Sequence, residues 1–143
     1  MRLRVLVVSR STEQSAAWVE ELEQAGCAVG HVIGVGRALE LLKRRPEVDV
    51  IVSALRLGDA ERDGLDVLEA VGVELPGVGR LLVGTPVVQP LESVILAHGP
   101  LDRVVWPPLD PGVLAAVVAE LGAHERLPAD TASRTSSSVV NQV

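Results

Sequence analysis

The side chains able to do chemistry in this chain are few and widely spaced. His31, His98 and His124 fall in separate stretches with no i, i+4 pair and no matching thiolates, which argues against a metal site. The lone cysteine, Cys27, leaves no partner for an internal disulfide. Ser9 and Ser53 end apolar runs, where a nucleophilic hydroxyl could stand. Such a serine needs a histidine base oriented by a carboxylate, and none is placed by the strand ends. Gly34-Val35-Gly36 occupies the place of a dinucleotide-binding turn, but Leu39 stands where a third glycine would be. These glycines read as the turn into a helix. Asp59, Glu61, Arg62 and Asp63 form a charged run that reads as a solvated loop. No catalytic residue, metal or cofactor is expected.

The composition points the same way. The chain has 143 residues, 48% of them hydrophobic and 22% charged, with a net charge of −6. That length is one domain with a sizeable core. The acidic balance argues against nucleic acid as the main partner. No apolar run approaches the roughly 18 residues of a membrane span, and the apolar start is too short for a secretory signal. A cytoplasmic protein is expected. Phe and Tyr are absent, so Trp18 and Trp106 are the only aromatic side chains. Stacking on bases or flat cofactors has almost nothing to use. Of the 13 basic residues only Lys43 is lysine, which leaves twelve arginines.

Five short apolar runs set the frame, each followed by helical spacing. Strands are predicted at Leu3–Val8, Cys27–Ile33, Val48–Ser53, Leu81–Val83 and Arg103–Trp106. The first helix covers Glu13–Ala25, capped by Ser11 or Thr12 and closed by Gly26. The second carries Ala38, Leu39, Leu41 and Leu42 and ends in Lys43-Arg44-Arg45 before Pro46. A polar loop from Leu55 to Asp63 leads to a helix over Gly64–Val71. Pro90 opens a fourth helix to His98, and Asp110-Pro111 caps and opens the last, to Leu121. Five βα units imply a parallel sheet with helices on both faces. Residues 1–123 are read as the domain and 124–143 as a flexible Ser/Thr-rich tail or linker.

This order of pieces resembles a response-regulator receiver (CheY-like) domain over roughly Arg2 to Leu121. The matching pieces are Val5-Leu6-Val7-Val8, Ala38 to Pro46, Asp49-Val50-Ile51-Val52, Asp63 to Leu68 and Pro108-Leu109-Asp110-Pro111. The resemblance implies a doubly wound five-stranded sheet of order 2-1-3-4-5, flavodoxin-like, with its site at the carboxyl ends of the strands. It also implies phosphoryl transfer to an aspartate, which requires an acidic pair for Mg²⁺, a hydroxyl and a lysine. Here the acidic pair falls on Ser9 and Arg10, and the phosphoacceptor on Ala54. The hydroxyl falls on Gly84 or, with a one-residue slip, on Thr85, and the lysine on Trp106. A methyl group cannot be phosphorylated, and Arg10 would repel the metal. The chain therefore resembles the degenerate pseudo-receivers. Two fillings of its corner are open: Arg10 stacked on Trp106, or Trp106 packed in the aliphatic core with Arg10 pointing to water.

A non-enzymatic module working by protein–protein association is then expected, through a protein partner or a homodimer, with no membrane or nucleic acid. In the last helix Leu114, Val117, Val118 and Leu121 form the core stripe, and Gly112, Ala115, Ala116 and Ala119 the opposite face. The resemblance implies docking through the fourth helix, fifth strand and last helix, so the expected interface is Leu96, Ala97, Ala115, Ala116 and Ala119. Two rival readings are a small-ligand sensor with a pocket near Ala54 and Trp106, and a receiver phosphorylated on a displaced carboxylate such as Asp59.

Overall fold

A computed structural model of the chain describes residues 2–58, 63–84 and 102–125. Near-continuous apolar, β-branched runs give strands buried on both faces. These are β1 (Arg4–Ser9), β3 (Val50–Ala54) and β4 (Gly79–Val83), with β2 (Ala28–Ile33) and the three-residue β5 (Arg103–Val105) at the two edges. The helices are α1 (Thr12–Gln24), α2 (Val35–Leu42), α3 (Gly64–Glu74) and α4 (Val113–Glu125). All pairings are parallel, in the order β2-β1-β3-β4-β5 that the receiver resemblance implies.

The pleat sorts each strand between two cores. Leu6, Val8, Ile51 and Leu82 face α2 and α3, and pack with Ala38, Leu42, Val67 and Leu68. Val5, Val7, Val50, Val52 and Leu81 face α1 and α4, and pack with Leu22, Leu114, Val118 and Leu121. The core stripe expected in the last helix is thus buried as read.

Ser11, one of the two expected caps, caps α1, its side chain accepting from the Gln14 amide. Other local readings are corrected. The last helix begins at Val113, not at Pro111, because Gly112 takes φ +88° and breaks the helical path. Asp110 accepts the Val113 amide through its carbonyl, closing a turn before the helix. At the other end α4 runs to Glu125, past the end expected at Leu121. Leu55 and Leu57, read as part of a polar loop, are buried in the α2–α3 core. The helix expected from Pro90 to His98, Asp59 and residues 126–143 lie outside the described residues.

Candidate functional site

The carboxyl ends of β3, β4 and β5 meet at a corner that small residues allow to close. Ala54 ends β3 and is 1% exposed. Asp63 caps α3 in a reciprocal box with Asp66, which fixes where the helix enters. Gly64 then starts α3 directly over Ala54. Its amide donates to the Leu55 carbonyl at 2.8 Å. A Cβ here would stand 2.0 Å from the Ala54 carbonyl oxygen and 2.9 Å from Ser53 Oγ. Only glycine permits this approach.

The second closure joins β4 to β5. The register pairs Val83 with Val105, so Gly84 lies beside Trp106, and the Gly84 amide donates to the Val105 carbonyl at 2.9 Å. A Cβ on Gly84 would fall 2.2 Å from Trp106 Cζ3. The indole fills the space a side chain at position 84 would need. Trp106 packs its ring against the α2–α3 core. Its Nε1 is buried with no acceptor among the described residues, a cost set against the apolar area gained.

Arg10 takes no part in that closure. Its amide donates to Gln14 Oε1 at 2.7 Å, and its exposed side chain runs beside Gly58, where a Cβ would meet Arg10 Cγ at 3.4 Å. Of the two fillings expected for this corner, the structure has the second: Trp106 packs in the core against Gly84, and the exposed Arg10 lies beside Gly58 rather than on the ring. Ser9, Arg10, Ala54 and Trp106 themselves supply no carboxylate at the strand ends. Thr85, the alternative hydroxyl, lies outside the described residues.

Sequence reasoning missed a polar cluster at the ends of β1 and β2. Ser9 and Ser15 are fully buried. His31 Nε2 lies 2.7 Å from Ser9 Oγ and 2.8 Å from Ser15 Oγ, with 3.1 Å between the two hydroxyls. Ser9 Oγ also donates to the Ser11 carbonyl at 2.8 Å. A histidine is thus placed beside Ser9, contrary to expectation. Period-two alternation was the available signal, since it puts Ser9, His31 and Val29 on the face covered by α1. The pair is not a nucleophile and base in a working arrangement. The hydroxyl is sealed from solvent, and no described carboxylate hydrogen-bonds the imidazole. Its role is to tie β1, the first turn of α1 and β2 together.

On α4, Ala116, Ala119 and Ala123 are exposed, with Glu120 the charged residue among them. Glu120 pairs with Arg103 of β5. Ala115 is corrected from this outer face. It is half-buried against the α1–α4 core, and its amide donates to Glu21 Oε2 of α1 at 2.9 Å. The carboxylate meets an otherwise unpaired amide in the first turn of α4. Leu96 and Ala97 lie outside the described residues.

No family model matches the sequence, and no curated protein matches it. Solved structures do match. An uncharacterized protein from Neptuniibacter caesariensis is 18% identical with a TM-score of 0.80, over 93% of this chain and 96% of that one. The signal receiver domain of an HD domain-containing protein from Pseudomonas fluorescens Pf-5 is 22% identical with a TM-score of 0.74, over 87% and 98%. A CheY-like response regulator receiver domain protein from Methanospirillum hungatei JF-1 is 20% identical with a TM-score of 0.75, over 87% and 97%. The fold is that of a receiver domain. Ala54 ends β3, and Gly84 and Trp106 directly follow β4 and β5. Among the described residues no helix is long and apolar enough to cross a membrane.

Proposed function

We propose that this receiver-fold domain is a signalling module that works by protein–protein association and takes no phosphoryl group. The observation carrying this reading is the filled corner: the Trp106 indole over Gly84, and Gly64 over a buried Ala54. A nucleophile at position 54 and a cation at position 106 are both replaced by apolar groups. The same filling weighs against a small-ligand pocket at Ala54 and Trp106. Asp59, the displaced carboxylate of the third reading, lies outside the described residues.

The association surface is the outer face of α4 with β5, where Ala116 and Ala119 are exposed. A surface helix ordinarily carries several charges on that side, and this one carries Glu120. A single buried free thiol, Cys27, fits a reducing cytoplasm. Light scattering on the full chain over a range of concentrations tests the surface. A mass above the monomer that falls to the monomer in Ala116→Glu is the expected result. Unchanged self-association and partner capture in that variant would place the interface elsewhere.

A further inference from the structure

The two edges of the sheet differ in how they meet solvent. β5 is three residues long and opens on Arg103, which is paired to Glu120. β2 is six residues long, pairs on one side only, with β1, and contains neither lysine nor proline. Those are the usual devices that stop an edge strand from accepting another. The Ala28 amide donates to the Leu3 carbonyl and the Gly34 amide to the Ser9 carbonyl. Period-two alternation then turns Ala28, Gly30, Val32 and Gly34 toward β1. Val29, His31 and Ile33 turn their N–H and C=O groups outward. Among the described residues no strand takes up these groups. Ile33 is 41% exposed, one of two large hydrophobic side chains that are exposed among the described residues.

A cleft of about 600 Å³ runs along this edge, between the start of α1 and the face of α2. His31 and Ile33 line its strand side, and Arg37 and Leu41 of α2, with Arg44 just past the helix end, its opposite wall. Arg4, Arg45, Arg80 and Arg103 each have an acidic partner. Arg37 and Arg44 have none among the described residues, and the one acidic residue lining the cleft is Glu40. On a chain of net charge −6 this is a local positive site. A main chain with unmet hydrogen bonds, an apolar contact and two guanidiniums together describe one kind of ligand.

We propose that the free edge of β2 takes up an extended acidic segment of a partner protein as a sixth strand. Backbone pairing to Val29, His31 and Ile33 supplies the affinity. An apolar side chain of the segment rests on Ile33 and Leu41, and its carboxylates pair with Arg37 and Arg44. Arg37 lies in the first turn of α2 and Arg44 in the turn just past its end, seven residues on, which at the helical rise is about 10 Å. Same-face carboxylates two or four positions apart, roughly 7 or 13 Å, match that spacing within the reach of the guanidinium stems. This edge is the far side of the sheet from the α4 surface and does not depend on it.

The test uses a fluorescent decapeptide of alternating valine and glutamate, with binding to the full-length chain read by anisotropy. Binding that weakens at least tenfold in Arg37→Glu/Arg44→Glu is expected. The same peptide N-methylated at alternate amides keeps its charge and loses the ladder, and should bind at least tenfold more weakly. Ile33→Pro removes an outward amide at an edge position and should act likewise. No binding of the decapeptide, equal binding by the double variant, or equal binding by the methylated peptide overturns the proposal. Self-association in the light-scattering experiment is a separate readout, so either proposal can fail alone.

Discussion

The carboxyl end of the sheet is closed twice, by different chemistry on its two sides. Over β3, β4 and β5 the closure is made by removing atoms, at Ala54, Gly64 and Gly84, and adding one large ring, Trp106. Over β1 and β2 it is made by hydroxyls and an imidazole, Ser9, Ser15 and His31, that satisfy one another. The first depends on shape and fails when volume is added. The second depends on donors and acceptors and fails when one is taken away.

The largest expected effect comes from adding volume where backbone is the obstacle. Gly64→Ala puts a methyl into the Ala54 carbonyl and should cost about 3 kcal/mol or more, seen in urea denaturation. Gly84→Ala meets a ring that can partly yield, so about 2 kcal/mol is expected. In a Trp106→Ala background that penalty should nearly vanish, giving a coupling energy of about 2 kcal/mol in a double-mutant cycle. Additive effects would mean the ring and the glycine are not one fitted unit.

On the polar side, Ser9→Ala should cost about 1 to 2 kcal/mol by leaving the Ser11 carbonyl and His31 with fewer partners. Ser9→Ala/Ser15→Ala should cost less than the sum of the singles, because both hydroxyls serve the same nitrogen. The smallest effect is at Cys27. Burial raises its thiol pKa above the ordinary 9.0, opposed by the nearby Arg2 charge. The unfolded chain therefore releases this proton first. The contribution is fully present below pH 9.0 and is lost as pH rises through the native value. Cys27→Ala should flatten that alkaline loss of stability in denaturation followed above pH 9.0.

The strands were legible because each carries its own signal: β-branched runs between a cap and a glycine or proline need no distant information, whereas their order in the sheet was implied only by the resemblance to receiver domains. Residue type alone shows that Ala54 carries no carboxylate and Trp106 no amine. The fit between Gly84 and Trp106 was not, because it exists only once β4 and β5 pair. His31 was hidden for a related reason. Its partners are 22 and 16 residues away on another strand and a helix, and Gly30 interrupts the strand pattern around it. Leu55 and Leu57 were masked by Arg56, Gly58 and the acidic run that follows. Gly112 overrode the proline rule at the start of α4, a backbone φ that the residue pair Asp110-Pro111 does not reveal.

The most direct test of the central claim is the intact mass of the protein after incubation with acetyl phosphate and Mg²⁺. A filled corner with Ala54, Gly84 and Trp106 in place predicts an unchanged mass. A stoichiometric phosphoryl adduct would contradict it, and loss of that adduct in Asp59→Asn would move the chemistry to the displaced carboxylate.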